Sequence, residues 1–370
     1  MSSQIYDEKI PQGWEVVKLG DVAKITMGQS PDGATYSNSP SKYILIQGNA
    51  DIQNGFVKPR IWTTQITKIA YVGNIIMSVR APAGAIGKTE YDAVIGRGVA
   101  AIEGNDFIYH ILIKMDKDGY WDEFSCGSTF DSLKSYDIFN AKILMPKEKA
   151  EQDRIARVLG DMDDLISAKC ELLDKKRAIK QAAAQQLLTP KPHWNTATLG
   201  DISLIKTGSR NNQDKNNDGE FPFFVRSATV ERISTYSYDC EAILIPGEGG
   251  IGSIYHYING KFDAHQRVYV IRDFNKDIDA KFIFYVLKEC FGKYALQNTV
   301  KATVDSLRLP TFQNFEFSLP KDKAEQTKIA EILSDMDKEI SALQDEIEKL
   351  KMIKQGAMDE LLSGKIRLKG

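Results

Sequence analysis

Cysteine and histidine are scarce in this sequence of 370 residues, which contains four of each. The cysteines are Cys126, Cys170, Cys240 and Cys290, and no two of them form a CxxC pair. The histidines form no cluster either. A structural zinc site needs closely spaced Cys and His ligands, and a disulfide-rich fold needs many cysteines. The sequence therefore predicts neither a metal site nor a disulfide framework.

Long apolar runs are missing as well. No stretch approaches the roughly 18 consecutive apolar residues that a membrane-spanning helix needs. The first residues, MSSQIYDEKIPQGWEVV, are polar and lack the basic-then-apolar order of a signal peptide, so we expect a cytoplasmic protein. Hydrophobic residues make up 42% and charged residues 26% of the chain, which is typical of a globular protein with two or three domains.

Catalytic motifs are absent or incomplete. GEGGIG at 247–252 matches the GxGxxG pattern of dinucleotide sites, but the residues after it favour a hairpin instead of the helix that must hold the pyrophosphate. GKT at 87–89 resembles the end of a phosphate-binding loop, yet Pro82 stands where the first glycine is required. Pro31-Asp32 could begin a metal-nuclease site, but no acidic-x-Lys partner follows nearby. No Asn-Pro-Pro-aromatic motif of an amino-methyltransferase occurs either. We therefore expect a chain without catalysis of its own.

The sequence contains a long internal repeat. AEQDRIARVLGDMDDLISA at 150–168 is closely similar to AEQTKIAEILSDMDKEISA at 324–342. GWEVVKLGDVAKITMG at 13–28 likewise matches HWNTATLGDISLIKTG at 193–208. The first pair of segments is 174 residues apart and the second pair is 180 residues apart. Because solenoid repeats have periods of about 20 to 50 residues, a period this long indicates a duplicated domain.

Each copy of the repeat reads as a strand-rich globular part followed by a long helix. Branched and aromatic runs alternate with turn signals such as Asn54-Gly55 and Asn259-Gly260, which favours short strands. We therefore predict the α+β class, with two tandem α/β domains joined by two long helices. The predicted boundaries are 1–149 and 191–323 for the globular domains, 150–190 for the first helix, and 324–370 for the second helix and its tail.

Both predicted helices carry an apolar stripe with the spacing of a coiled coil. The predicted seam residues are Ile155, Met162, Leu165, Leu172 and Ile179 in the first helix, and Met336, Ile340, Leu343, Ile347 and Leu350 in the second. Lys169 and Lys176 also fall on the first stripe, so this stripe is weaker and must shift around the helix. The helices could simply pack the two domains together. Against this, a helix of about 39 residues is nearly 60 Å long and must bury its stripe on another helix.

Positive charge is concentrated in the first copy. Residues 52–89 contain no Asp or Glu but include five basic side chains, which are Lys58, Arg60, Lys68, Arg80 and Lys88. Phosphate binding needs local positive charge, so the overall net charge of −2 does not exclude a nucleic-acid partner.

Polar loops in the second copy contain residue types that read base edges. These are Arg210, Asn211 and Asn212 after IKTG, Arg226 after FPFF, and the run His265, Gln266 and Arg267. Gln29, Ser30 and Arg97 in the first copy complete the candidate DNA-binding residues. Any one of these residues could instead be a solvated loop residue. The prediction therefore depends on their recurrence at corresponding places in two tandem domains.

The motifs together resemble the specificity (S) subunits of type I restriction-modification systems. The similarity is carried by GWEVVKLGDVAKITMGQSP, NIIMSVRAPAGAIG, IGRGVAAI, LPKDKAEQTKIAEILSDMDKEI and LLSGKIRL, and it covers essentially the whole chain. The resemblance implies two target recognition domains that read double-stranded DNA. It also implies two methyltransferase subunits as partners, with S-adenosylmethionine bound by them and no cofactor or metal bound by this chain. The resemblance further implies that restriction subunits join these proteins in the full complex.

The duplication and the resemblance together imply a pseudo-twofold arrangement. The two long helices pair as an antiparallel coiled coil, each recognition domain reads one half-site of a bipartite target, and the helices offer two equivalent docking positions to the methyltransferases. The second copy reads LIPGEGGIG where the first has SVRAP, so the function of Arg80 has no counterpart there, and Arg80 is either specific to the first half-site or structural. The open alternatives are a specificity subunit of a type IIB-like system and a coiled-coil scaffold that does not bind DNA.

Overall fold

The computed structural model describes residues 10–125, 132–299 and 306–368. Cys126 lies outside these ranges. The chain divides into two compact units, which we call unit 1 (Met1–Lys169 with Glu346–Gly370) and unit 2 (Cys170–Asp345). Each long helix begins in one unit and ends in the other.

The described part of unit 1 contains a six-stranded sheet, a five-stranded sheet and a two-stranded ribbon. Its elements are β1 Trp14–Lys18, α1 Leu19–Val22, β2 Lys24–Met27, β3 Tyr36–Ser37, β4 Tyr43–Ile46, β5 Ile52–Gln53, β6 Phe56–Val57, β7 Ile61–Thr63, β8 Ile69–Ala70, β9 Ile75–Ser78, β10 Ile86–Lys88, β11 Ala93–Ile95, β12 Val99–Glu103, α2 Asp106–Lys117, α3 Asp122–Ser125, α4 Ser135–Phe139, β13 Lys142–Pro146 and the long helix α5 Lys149–Leu188. The strand orders are β2-β12-β9-β10-β6-β5, β3-β7-β4-β11-β8 and β1-β13.

Unit 2 repeats this plan with fewer and longer strands. Its elements are β14 Asn195–Thr198, α6 Leu199–Ile202, β15 Leu204–Thr207, β16 Phe221–Phe224, β17 Val230–Ile233, β18 Tyr238–Pro246, β19 His256–Ala264, β20 Val268–Arg272, α7 Ala280–Val286, a π-helical turn Leu287–Phe291, α8 Gly292–Gln297, α9 Leu309–Gln313, β21 Glu316–Leu319 and the long helix α10 Lys323–Leu361. The six-stranded sheet has the order β15-β20-β18-β19-β16-β17, and β14 pairs with β21. Strand β19 follows GEGGIG, so no helix begins there. The predicted turn at Asn259-Gly260 is wrong, because both residues lie inside β19, where they pair with Glu241 and Cys240 of β18.

A buried glutamine explains why AEQ recurs at the start of both long helices. In unit 1, Gln152 donates to the carbonyl of Pro146 at 2.7 Å and accepts from Asn105, the residue that caps α2, at 2.7 Å. In unit 2, Gln326 donates to Pro320 at 2.9 Å and accepts from the backbone N–H of Asp279, the cap of α7, at 2.9 Å. Each glutamine therefore joins a strand end, a helix cap and a long helix.

The glutamate before each glutamine binds cations next to a tryptophan. Glu151 accepts two hydrogen bonds from Arg367, at 2.6 and 2.7 Å, and Arg367 lies over the ring of Trp14. Hydrogen bonds from Arg367 lower the pKa of Glu151. In unit 2, hydrogen bonds from His193, Lys191 and Trp194 likewise lower the pKa of Glu325. The repeated tryptophan and glutamate are thus structural residues at the base of each unit.

Replacing Gln326 or Gln152 by alanine is expected to lower the free energy of unfolding by about 1 to 3 kcal/mol, because each change leaves buried polar backbone or side-chain groups without a partner. Urea unfolding followed by tryptophan fluorescence measures the effect. Gln344→Ala, on the exposed face of α10, is the matched control and should leave the curve unchanged. If Gln326→Ala unfolded at the same urea concentration as Gln344→Ala, the glutamine would not carry this structural role.

The long helices run antiparallel where they pair. In unit 2, Lys176 contacts Glu339 at 2.6 Å, and Lys180 forms an ion pair with Asp337. Lys180 follows Lys176 whereas Asp337 precedes Glu339, which requires opposite helix directions. In unit 1, Lys169 contacts Glu346 at 2.8 Å and Lys354 contacts Asp163 at 2.5 Å, with the same reversal.

The seam of the second long helix lies where the sequence predicts. Leu343 and Ile347 are buried, and Met336, Ile340 and Leu350 are half-buried. At the start of the first helix, Ile155 is buried and Met162 is half-buried.

The predicted seam of the first helix is wrong at three positions. Leu165, Leu172 and Ile179 are 45%, 42% and 60% exposed. The covered stripe is displaced from them and passes through Ile166, Lys169, Leu173, Lys176 and Lys180. The reason is that the lysines face carboxylates of the second helix, so their aliphatic stems cover the seam while their amino groups form ion pairs. The three displaced apolar residues face outward.

Candidate nucleic-acid interface

In unit 1, the end of β2 and the turn between β11 and β12 come together. The N–H of Gly28 donates to the carbonyl of Val99 at 3.0 Å, and that of Gln29 to Ile95 at 2.8 Å. The backbone N–H of Arg97 donates to the hydroxyl of Ser30 at 3.1 Å. A Cβ at Gly28 would lie 2.1 Å from a carbonyl oxygen of the opposite turn, so only glycine permits this approach. Gln29, Ser30 and Arg97 therefore lie at one edge of the unit.

Lys68 and Arg80 lie at the same edge. The carbonyl of Lys68 accepts from the N–H of Ile95 at 2.9 Å, next to the β11–β12 turn. The N–H of Val79, immediately before Arg80, donates to Gly98 in that turn at 2.9 Å. Both basic side chains are exposed. The structure thus brings three of the predicted cations, Lys68, Arg80 and Arg97, to one surface, which we call the basic edge. The corresponding surface of unit 2, described below, has the same name.

Other predicted cations of unit 1 have structural partners. Nε of Arg60 lies 3.1 Å from the buried carboxylate of Asp51, whose other oxygen accepts from the N–H groups of Gln47 and Gly48. Lys88 donates to Asp106 at 2.7 Å and lies over the ring of Tyr109. Arg60 and Lys88 therefore stabilise unit 1 itself. Lys58 is exposed and its backbone N–H bonds to Asp51.

Lys88 is also separated from the basic edge. It pairs with Ile75 at the start of β9, whereas Arg80 follows the end of the same strand. Lys88 was predicted to bind DNA because of its charge. The sheet register places it at the opposite end of β9 from Arg80.

Unit 2 repeats the same backbone arrangement. The N–H of Gly208 donates to Val268 at 3.0 Å, and a Cβ there would lie 2.1 Å from the carbonyl oxygen of Ala264. The N–H of Gln266 donates to the carbonyl of Arg210 at 2.8 Å, and its side chain donates to Asn211 at 2.6 Å. Arg210, Asn211 and Gln266 are therefore neighbours, and the exposed Asn212 follows them.

Arg210 is committed to a buried carboxylate. Its Nε donates to Asp263, which is fully buried, at 2.9 Å, and Nη2 donates to Thr235 at 3.2 Å. The hydrogen bond that Arg210 donates to Asp263 raises the pKa of the Arg210 guanidinium. Ser237 donates to the same carboxylate at 2.8 Å. Because a buried carboxylate without a cation is costly, the ion pair between Arg210 and Asp263 stabilises unit 2.

Arg226 and Arg267 meet at a glutamate that the sequence analysis missed. Nη1 of Arg226 lies 3.5 Å and Nη1 of Arg267 lies 3.4 Å from the two carboxylate oxygens of Glu248. Glu248 belongs to GEGGIG, and the only signal in the sequence was its unusual place between glycines.

His265 is buried next to these arginines and is hydrogen-bonded to the backbone of one of them. It is 5% exposed, and Nδ1 accepts from the N–H of Arg267 at 3.0 Å. Burial lowers its pKa, and the charges of Arg226 and Arg267 lower it further. His265 is therefore a buried residue that fixes the turn through its hydrogen bond with Arg267, whereas the sequence placed it among the DNA contacts.

Arg80 has a positional equivalent in unit 2, and this residue is not an arginine. Val79 bonds to Gly98 as Gly247 bonds to Arg267, at 2.9 and 2.8 Å. The backbone of Arg80 then forms an isolated antiparallel β-bridge with Ser132, and the backbone of Glu248 forms one with Ser306. The counterpart of Arg80 is thus Glu248. The local sequences differ too much for alignment to find it, but the hydrogen bonds identify it.

The described residues contain no group of three or more His, Cys, Asp or Glu side chains arranged to hold a metal ion. They also include no helix that is long and apolar enough to cross a membrane.

Comparison with curated proteins finds specificity subunits. The chain is 31% identical over 191 residues to the putative type I restriction enzyme MjaX specificity subunit of Methanocaldococcus jannaschii, a match that covers 50% of this chain and 44% of that protein. It is 29% identical over 177 residues to the type I restriction enzyme EcoDI specificity subunit of Escherichia coli, covering 47% and 38%. The matches thus span less than half the length of these two relatives. The MjaIX specificity subunit of M. jannaschii is 22% identical over 418 residues, covering 97% and 95%.

Comparison with solved structures agrees on the fold. The type I S subunit of M. genitalium matches with a TM-score of 0.72 at 16% identity, covering 96% of this chain and 97% of that one. A chain from a structure concerned with assembly and conformational transition of a type I system matches with a TM-score of 0.57 at 17% identity, covering 97% and 100%. The predicted α+β class with tandem domains and paired long helices is confirmed.

The family described as the type I restriction modification DNA specificity domain matches this chain twice, over residues 11–175 and again over residues 192–352. Each match contains one globular part, its basic edge and most of the long helix that follows. Because the two matches together span most of the sequence, this protein belongs to the type I restriction-modification DNA specificity family.

Proposed function

We propose that this chain is the DNA-reading subunit of a type I restriction-modification complex. The globular part of each unit reads one half-site of a bipartite target in double-stranded DNA. The observation that carries the proposal is the repeated edge, where the same backbone hydrogen bonds present polar and basic side chains in both units. Arginine, asparagine and glutamine have the donor and acceptor patterns that match guanine and adenine in the major groove.

The long helices are the proposed docking surface for two methyltransferase subunits. Ile179 and Ile353 occupy equivalent positions of the repeat and are 60% and 49% exposed. Exposed large apolar side chains at equivalent places suit a partner that binds twice. S-adenosylmethionine would be bound by these methyltransferases, restriction subunits would join the full complex, and the assembly would work in the cytoplasm.

This chain would contribute no catalytic step itself. Its residues would hold DNA in register and hold the methyltransferases at a fixed place relative to the two half-sites. Methyl transfer from S-adenosylmethionine is expected only after the methyltransferase is added, and methylation by the purified chain alone would contradict the proposal.

A mobility-shift assay separates this function from that of a scaffold. The chain with its methyltransferase should retard random-sequence duplex DNA, and the retardation should weaken steeply as salt rises, because phosphate contacts release counterions. A complex that gave no salt-sensitive shift would be a scaffold instead. A methylation map of a host genome with and without the complex would then give the target.

Replacing Lys68 or Arg97 by alanine is expected to weaken DNA binding on all sequences and to reduce the slope of log affinity against log salt by about one unit, if each contacts one phosphate. Titrations at several salt concentrations measure the slope. Lys88→Ala is the matched control, because its amino group is bound to Asp106 within unit 1, and its slope should equal that of the parent. If all three variants had the same salt slope as the parent, the DNA would bind elsewhere.

A further inference from the structure

Three positions at the basic edge correspond in the two units but carry different side chains. The first pair is Gly48 and Arg226, each two residues beyond the end of β4 or β16. The correspondence follows from the N–H of Gly96, which donates to Ile46 at 2.7 Å, and that of His265, which donates to Phe224 at 2.9 Å.

The second and third pairs come from one hydrogen bond in each unit. The bond from Val79 to Gly98 corresponds to the bond from Gly247 to Arg267, so that Gly98 matches Arg267. The next residues, Arg80 and Glu248, then match each other. We call Gly48, Arg80 and Gly98 the unit 1 trio, and Arg226, Glu248 and Arg267 the unit 2 trio.

The two trios carry the same net charge in different forms. Unit 1 has a single arginine between two glycines. Unit 2 has two arginines with a carboxylate between them, and the side chains of Arg226 and Arg267 are 45% and 53% exposed whereas that of Glu248 is 19% exposed. Both trios therefore have one net positive charge, although every side chain differs.

Backbone packing fixes part of this difference. A Cβ at Gly98 would lie 1.9 Å from the carbonyl oxygen of Gln47, so no side chain can replace the glycine without movement of the backbone. At Gly48 a Cβ would meet no atom within 4 Å, so packing does not require glycine there. Unit 1 thus has no room for the counterpart of Arg267, and Arg80 is the only charged side chain of its trio.

We propose, on the basis of the proposed function, that these trios determine the base preference of the two half-sites. Arg80 reads a guanine in one half-site, and Arg226 and Arg267 read guanine edges in the other. Glu248 is a positioning residue for the two arginines. Because the trios differ in the number and placement of arginines, the half-sites have different guanine requirements at corresponding positions.

Donor chemistry supports these roles. A guanidinium presents a planar set of five N–H donors, and two of them match O6 and N7 of guanine. Each arginine approaches Glu248 most closely through Nη1, so one ion pair leaves other donors for a base. A carboxylate alone could accept from the amino group of cytosine. Both oxygens of Glu248, however, already face arginines and its side chain is mostly covered, which favours positioning.

Selection from a randomised duplex library, with the chain bound to its methyltransferase, tests the proposal. Bound DNA is separated by mobility shift and sequenced for the parent and for Arg80→Ala, Arg226→Ala, Arg267→Ala and Glu248→Gln. Arg80→Ala should relax guanine preference about 10- to 100-fold at one position of one half-site. Arg226→Ala and Arg267→Ala should do so in the other half-site only.

Glu248→Gln should weaken the same positions as the two arginine variants, and by less. In the Arg226→Ala, Arg267→Ala background it should have no further effect, because a positioning residue acts only through the groups it holds. The unaffected half-site serves as the folding control in every variant, since an unfolded chain would lose both preferences.

Three results would overturn the proposal. A uniform loss on all sequences with a shallower salt slope would make these arginines phosphate contacts. Relaxation in both half-sites, or in neither, would separate the trios from base preference. An additional effect of Glu248→Gln in the double-arginine background would show that Glu248 contacts the DNA itself. A parent complex that selected no sequence at all would instead refute the proposed function.

Discussion

Replacing Ile179 and Ile353 together by aspartate is expected to abolish methyltransferase binding, and with it methyl transfer, while the chain stays folded. Each side chain is exposed, so the change costs the isolated chain little. In the complex it would place an unpaired carboxylate in an apolar contact, at a cost of about 3 to 5 kcal/mol, or roughly two to four orders of magnitude in affinity. Binding stoichiometry and methyl transfer are the measurements.

The single variants give the sharper result. If the two helices offer equivalent docking positions, Ile179→Asp and Ile353→Asp should each lower the stoichiometry from two methyltransferases to one. Asp174→Asn and Glu348→Gln are matched controls, since each lies five residues before one isoleucine, about 140° around the helix, and also changes the charge by one unit. Two methyltransferases retained by both single variants would place the docking surface elsewhere.

Lengthening both long helices by four residues is expected to lengthen the unread spacer between the half-sites by one or two base pairs. The insertions belong after Lys169 and after Asp345, where each helix passes between units. They cannot be made near Leu188, because Ala184 and Leu188 are buried in the core of unit 2. Four residues add about 6 Å and roughly one turn to each helix, while one base pair advances the duplex by about 3.4 Å.

Two-residue insertions at the same points are the control. They turn the helix by about 200°, so the two half-sites could not be read together and binding should be lost. Sequencing the motif that the variant complex methylates in a plasmid library measures the spacer. An active four-residue variant with the parent spacer, or with altered half-site bases, would show that the helices do not set the distance.

The repeat was the strongest signal in the sequence, and it led to the fold, the helices and the family. Its invariant positions are now explained by packing, since Gln152 and Gln326 join the same elements in each unit. Periodicity was less reliable in the first long helix. Leu165, Leu172 and Ile179 have the heptad spacing of a seam, but lysines form the covered stripe because their partners are carboxylates on the other helix.

The candidate site was predictable in outline and not in its individual roles. Composition indicates where cations are concentrated, but not which carboxylate each one meets. Arg60 and Arg210 are bound to the buried Asp51 and Asp263, and these contacts exist only after the sheets have formed. Glu248 was not predicted as a site residue, because its own charge is negative. An acidic residue in a glycine-rich loop has no DNA-reading signature until its two arginine neighbours are known.

The ion pairs between the long helices have a consequence for the ancestry of the chain. Asp163 and Lys180 lie on the first long helix, and the equivalent Asp337 and Lys354 lie on the second. Each pair joins the aspartate of one repeat to the lysine of the other, as Lys180 with Asp337 and Lys354 with Asp163. One repeat alone therefore holds both halves of the contact. Two copies of a single-repeat ancestor could associate through the same two ion pairs, so gene fusion would have preserved an existing dimer interface without inventing a new one.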